Sequence, residues 1–477
     1  MRYAVPAAAA ASLASPRRVV FASFVFLCWF LPVFLPLYAA TLPRWRNLAL
    51  TFGSFVFYGW WRPHYVLLML FSVGLDYVAA RAMGAPDSGR RRRLWLWFSI
   101  VTNLGLLGWF KYANLFVATW NDLAPWPVAW EQILLPVGIS FFTFQSMSYT
   151  IDVYRGDVKP VRSFVDLVCF VSMFPQLVAG PIVRYRDIAG ELASRQVGLR
   201  QCSDGVFLFA LGLAKKVLIA DSVGPLVDAV YAQDAPGLAA AWLAAVGYSV
   251  QIYFDFSGYS DMAVGLGLLL GFHFPPNFLS PYRAHSITEL WRRWHVSLST
   301  WLRDYLYVPL GGNRRGELRA QANVALTMLL GGLWHGAAWT YLLWGGWHGV
   351  FLVLERRWGK VSPYGWLPRP VQVLCTFTIW TLGLVIFRCL TLPELGQMVR
   401  GLFGWHGVGV APSLGQDTAF AYGALALGLG IAFGLPRSDQ LVARFHPLLM
   451  LAVPLVFVLA LAQLLTQDYV AFIYYQF

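Results

Sequence analysis

Residues 322–345, ANVALTMLLGGLWHGAAWTYLLWG, hold no Asp, Glu, Lys or Arg, and a single histidine, His335, stands near the middle. An uncharged run of this length matches the roughly 20 residues that a helix needs to cross a hydrocarbon core. Comparable runs recur near 19–41, 47–61, 64–80, 94–111, 132–150, 203–220, 238–272, 370–392, 418–436 and 446–465. They predict an all-α, polytopic bundle of about 11 spans, with re-entrant and interfacial helices around a central tunnel. Composition agrees: 58% of the 477 residues are hydrophobic, 12% are charged and mean hydropathy is +0.57. Soluble domains carry about a quarter charged residues, so a soluble enzyme is excluded. The formal charge of +13 is read as basic loops flanking spans, and nucleic acid ranks last among partners.

Loop charge sets orientation, because Lys and Arg collect on the cytoplasmic side. Loops 81–93, 283–319, 356–369 and 437–444 are basic, whereas 121–131, 221–234 and 394–417 carry acids. Alternation requires 164–181 to enter and return on one side, with Phe174-Pro175-Gln176 and Gly180-Pro181 as breakers. The stretch 238–272 is too long for one simple span and carries Asp255, Gly258 and Asp261, so it is expected to be broken or doubled. This scheme places the N-terminus outside, which Arg17 and Arg18 oppose. Residues 1–18 are Ala-rich without apolar periodicity. They are expected to be a disordered tail or a non-native extension, with translation starting at Val19 or Val20 and 19–477 forming one membrane domain.

The five cysteines, Cys28, Cys169, Cys202, Cys375 and Cys389, lack CxxC spacing, so neither a disulfide framework nor a zinc site is indicated, and small core residues are expected. GxGxxxG patterns at Gly265, Gly267 and Gly271, and at Gly428, Gly430 and Gly434, follow no strand and carry no phosphate-loop lysine. Close helix packing is the better reading.

Among eight histidines, His335 is the candidate for chemistry. An ionisable group deep in an apolar run is costly, and burial keeps imidazole neutral, the form a general base needs. A core histidine bonded to a carbonyl is the competing reading. His348, thirteen residues later, would point about 140° away on a straight helix, and is read as structural. His295 lies in Trp291-Arg292-Arg293-Trp294-His295-Val296-Ser297-Leu298-Ser299-Thr300-Trp301-Leu302-Arg303-Asp304-Tyr305. Its Trp291, Trp294, Leu298, Trp301, Leu302 and Tyr305 share a helical face, which describes an amphipathic helix at the membrane surface. Periodicity alone favours simple anchoring there. Arg314 and Arg315, after Pro309-Leu310-Gly311-Gly312-Asn313, could pair with phosphates of lipid or of a nucleotide-like acyl donor. No HExxH, GxSxG or His-x-x-x-Asp box occurs. Asp255 and Asp261 keep a transporter open as the alternative class, although no pair of similar broken segments marks two halves.

The stretch Trp291 to Arg314, WRRWHVSLSTWLRDYLYVPLGGNR, followed by Gly331 to Gly349, GGLWHGAAWTYLLWGGWHG, resembles the double signature of bacterial membrane-bound O-acyltransferases. The likeness is greatest to the membrane subunits of alginate O-acetylation. It extends through Phe110 to Asn114, Leu135 to Asp157, Phe174 to Tyr185 and Tyr253 to Gly265, and it loosens after about residue 390. The resemblance implies that His335, in Trp-His-Gly, is the catalytic base, and that the second polar site residue is His295. It implies acetyl transfer across the inner membrane, from a cytoplasmic thioester to hydroxyls of an exported polysaccharide such as alginate. Acetyl-CoA or another acyl thioester is the expected co-substrate, with no bound cofactor and no metal. Periplasmic O-acetylation partner proteins, the lipid bilayer and the polysaccharide acceptor are the expected partners. D-alanyl transfer from a carrier protein to teichoic acid is the alternative within the family.

Overall fold

The computed structural model describes residues 20–60, 62–84, 89–359, 362–410 and 412–466, side chains 445–450 excepted. The expected tail 1–18 and the proposed start at Val19 lie outside them. All regular structure among the described residues is helical. Three helices among the described residues, at His64–Gly84, Arg369–Arg388 and Gly415–Gly434, are long and apolar enough to cross a membrane. The described residues form two compact units, one of residues 20–209 with 262–275 and 464–466, the other of 210–261 with 276–463.

The first unit contains α1 (Leu31–Ala40), α2 (Arg46–Gly59), α3 (His64–Gly84), α4 (Gly89–Leu123), α5 (Ile139–Arg155), α6 (Phe164–Ser172), the single turn α7 (Phe174–Leu177) and α8 (Tyr185–Ala193). Its α3, α4 and α5 are joined by a polar seam. Asp76 is fully buried and accepts from Ser99 Oγ at 2.6 Å, from Asn103 Nδ2 at 2.9 and 3.0 Å, and from Ser146. Ser99 also bonds Thr150 at 2.9 Å, and Lys111 donates to Ser140 at 3.2 Å, so the pairs step in opposite directions along α4 and α5. Interhelical bonds of this kind hold helices together where apolar surface gives no driving force. The expected breakers in 164–181 do interrupt the helix: α6 stops at Ser172, α7 lasts one turn, and the buried chain beyond it is irregular. At Gly180 a Cβ would lie 2.5 Å from the Pro175 carbonyl, which requires glycine.

Two further helices, α9 (Leu199–Ala214) and α11 (Leu238–Leu270), begin in one unit and end in the other. The second unit adds α10 (Asp221–Tyr231), α12 (Ile287–Arg293), α13 (Val296–Leu302), α14 (Glu317–His335), α15 (Trp339–Arg357), α16 (Arg369–Arg388), α17 (Leu392–Leu402), α18 (Thr418–Gly434) and most of α19 (Ser438–Thr466), whose last residues fall in the first.

Four sequence expectations are corrected. First, α11 is one unbroken helix of 33 residues. Its acids are matched by lysines on the π-helical turn Lys215–Ala220, with Lys215 Nζ 2.7 Å from Asp261 and Lys216 Nζ 3.3 Å from Asp255. Gly258 is a contact, its Cβ position 2.6 Å from the Gly212 carbonyl, and not a hinge. Second, 322–345 is not one span. It breaks at residues 336–338, and α14 and α15 form an antiparallel hairpin, because Gly332 faces Tyr341 and Gly345 faces Met328. Third, 221–234 and 283–319, read as loops, are largely helical. Fourth, of the five cysteines only Cys169 and Cys389 are buried, and Cys28 is exposed. Close packing holds for Gly265 against Gly205 and for Gly428 against Val250, whereas Gly430 and Gly434 face open space.

Candidate active site

His335 is the last residue of α14, at the tip of the hairpin. Glycines make that tip possible. A Cβ on Gly332 would lie 2.2 Å from the Tyr341 carbonyl oxygen, and one on Gly336 would lie 2.1 Å from the Tyr341 ring, so only hydrogen fits at either place. The backbones therefore touch, and the chain turns directly after the histidine. Rings surround the imidazole: Trp334 and Trp344 each at 5.0 Å between centroids and Phe387 of α16 at 5.4 Å.

His295 reaches the same place from another element. The predicted single amphipathic helix over 291–305 is two helices, α12 and α13, with His295 between them in a left-handed conformation, φ 44° and ψ 55°. Such a φ is uncommon for a residue with a Cβ and persists where its surroundings enforce it. Asn277 does this. Its carbonyl accepts from the Val296 amide at 2.9 Å, and its Oδ1 accepts from the Ser297 amide at 3.2 Å and from Ser297 Oγ at 3.0 Å. Its Nδ2 in turn donates to Ser260 Oγ of α11 at 3.2 Å. The apolar face of the segment is covered by protein, not left for the membrane surface: Trp294 packs on Trp380 at 4.7 Å and on Phe278 at 5.0 Å.

The two imidazoles lie 6.4 Å apart between centroids. His295 is fully buried beside Phe256 at 4.7 Å, and among the described residues neither of its ring nitrogens has a hydrogen-bond partner. Burial pushes its pKa down to about 3, so the ring is neutral. A neutral imidazole offers one donor and one acceptor.

An apolar cavity of about 190 Å³ begins at His335 and Trp344. It follows the α14 face through Gly331, Met328 and Thr327 to Val324, a distance of about 16 Å at 1.5 Å per residue. Arg303 and Tyr307 lie at its far end, where Asn323 donates to the carbonyls of Leu310 and Gly312. Arg314 and Arg315 are exposed beside that turn.

His348 sits on α15, not on the helix of His335, so a single-helix rotation does not separate the two. It is fully buried among Trp344, Trp291 and Trp380 at 5.1, 5.3 and 5.0 Å, and Trp344 stands between it and His335. Asp255 and Asp261, the candidates for an ion pathway, are committed to their lysines instead. Sequence reasoning missed Asn277 and Phe387. Asn277 lies 18 residues before His295 and Phe387 lies 52 after His335, and neither stands in a pattern of its own.

A family model for membrane-bound O-acyltransferases matches residues 159–396, which include both histidines and all the cavity. The chain belongs to this family. It is thus an O-acyltransferase, and its relatives span several acceptors. It is 46% identical to the "probable alginate O-acetylase AlgI" of Pseudomonas syringae pv. tomato over 81% of this chain and 76% of the relative. It is 35% identical to the peptidoglycan O-acetyltransferase of Helicobacter pylori over 83% of each chain. Identity to the teichoic acid D-alanyltransferase of Bacillus subtilis is 28%, over 53% of this chain and 68% of the relative.

Proposed function

We propose that the protein transfers acetyl groups from an acyl thioester, such as acetyl-CoA, to hydroxyls of an exported polysaccharide such as alginate, directly or through a periplasmic partner protein. The observation that carries this reading is a pair of buried imidazoles, 6.4 Å apart, one of which, His335, lines an apolar groove. The groove's length suits a linear thioester arm, and exposed Arg314 and Arg315 beside the turn near Asn323 offer positive charge for donor phosphates, Arg303 being paired with Asp304 at 2.6 Å. That end faces the cytoplasm in the charge scheme, and membership of the family favours the inner membrane, with the remaining apolar runs completing a bundle around an acyl tunnel.

Neutral His335 takes the proton of the attacking hydroxyl as it adds to the thioester carbonyl. The N–H of His295 donates to the carbonyl oxygen as negative charge gathers there, a role whose loss costs about two to three decades in rate, roughly 3 kcal/mol. When the C–S bond breaks, His335 returns its proton to the thiolate. The ring of aromatic side chains keeps out water, which a thioester beside a base would otherwise consume. No resident metal or cofactor is needed for these steps.

Alginate is favoured as acceptor by the 46% identity to the alginate O-acetylase over four-fifths of this chain. The test uses purified protein in liposomes supplied with acetyl-CoA and an oligosaccharide acceptor. Thiol release coupled to ester formation, lost in a folded His335→Ala variant, is expected. An unimpaired His335→Ala protein ends the proposal.

A further inference from the structure

The tetrahedral intermediate of acyl transfer has four arms, and each must find space. At His335 three of them are assigned by the reading above: sulfur points back along the groove, the acceptor oxygen lies at the His335 ring, and the oxyanion faces His295. The fourth arm is the acyl tail. The walls available to such a tail are the rings packed on His335.

Of those rings Trp334 is the neighbour of His335 in α14, and Trp344 is held between His335 and His348. Phe387 differs. It comes from α16, is 1% exposed, and does not line the groove, yet its ring lies 5.4 Å from His335 and 5.0 Å from both Trp344 and Tyr341. Tyr341 cannot retreat, because its ring already lies against Gly336 and its carbonyl against Gly332. Phe387 is thus wedged on two sides, and a tail longer than a methyl meets its face.

We propose that Phe387 determines acyl length, admitting a two-carbon acyl group and rejecting chains of four carbons or more. The proposal rests on His335 being the site of transfer. The reaction is unchanged by tail length: a C–S bond breaks, a C–O bond forms, and the hydroxyl proton passes through His335 to the thiolate. Only the fit of the tail varies, and a misfit of one or two methylenes is worth about ten- to two-hundredfold in transfer rate.

The test measures thiol release and ester formation in liposomes with acetyl-, butyryl- and hexanoyl-CoA. Wild-type protein is expected to prefer acetyl over butyryl by at least about tenfold. Phe387→Ala should raise the butyryl-to-acetyl rate ratio by at least about tenfold, and Phe387→Leu, which keeps the site filled and guards against a folding failure in the larger truncation, should raise it by a smaller factor. Equal rates for all three thioesters in the wild type, or an unchanged ratio in an active Phe387→Leu protein, overturns the proposal. Absence of thiol release from every thioester in the wild type would instead overturn the acyltransfer reading and this inference with it.

Discussion

Two buried polar regions, one in each unit, treat the same cost in opposite ways. In the first unit Asp76 meets three residues that donate to it, and the bonds continue through Ser72, Asn103, Ser99 and Thr150 until α3, α4 and α5 are tied together. In the second unit His295 is equally buried, but its ring nitrogens have no protein partner among the described residues, and its walls are aromatic. A saturated network rigidifies, whereas an unsaturated polar atom is available to a substrate. Depth of burial alone does not separate structural from chemical polar groups. Saturation does.

This contrast can be broken by substitution. The largest effect expected is at His335: His335→Ala should lower transfer by up to about 10⁴-fold while the melting temperature holds, as read by acetyl ester formation and by thermal unfolding in detergent. His295→Ala comes next, with a loss of about 10²–10³ in kcat and little change in donor KM. Asp76→Ala should do the reverse. Removing the acceptor of three interhelical bonds should cost about 2 kcal/mol of stability, visible as a lower unfolding temperature, with transfer per folded molecule retained. Loss of transfer at full stability in Asp76→Ala would erase the distinction between the regions. The smallest effect concerns pH. Because burial holds His295 neutral down to about pH 3, protonation of that ring lies below the range of a pH–rate profile. His295→Gln should therefore lower the profile without moving its acid limb, and a displaced limb would show that His295 titrates during turnover.

The helical class and the burial of His335 were legible because both rest on local signals, an uncharged run and a histidine set inside it. The hairpin was not. Gly332 and Gly336 are compatible with a continuous helix, and only the approach of Tyr341 and Gly345 gives them another purpose. In α11 the error ran the other way: Asp255 and Asp261 signal a break when read alone, because Lys215 and Lys216 lie some forty residues earlier. Periodicity through 291–305 gave the right buried face and concealed the interruption at His295, which depends on Asn277 reaching back from a separate loop. His295 entered the site only through family resemblance.

The left-handed backbone at position 295 narrows what drift can do there. Any replacement must satisfy a ring-sized hydrogen-bonding role and a torsion angle that β-branched residues resist. Glycine meets the second demand without the first, and glutamine the first without the second. Asparagine, which visits this region readily and carries both a donor and an acceptor, meets both, so an inherited change at this position has in practice one side chain through which activity can pass.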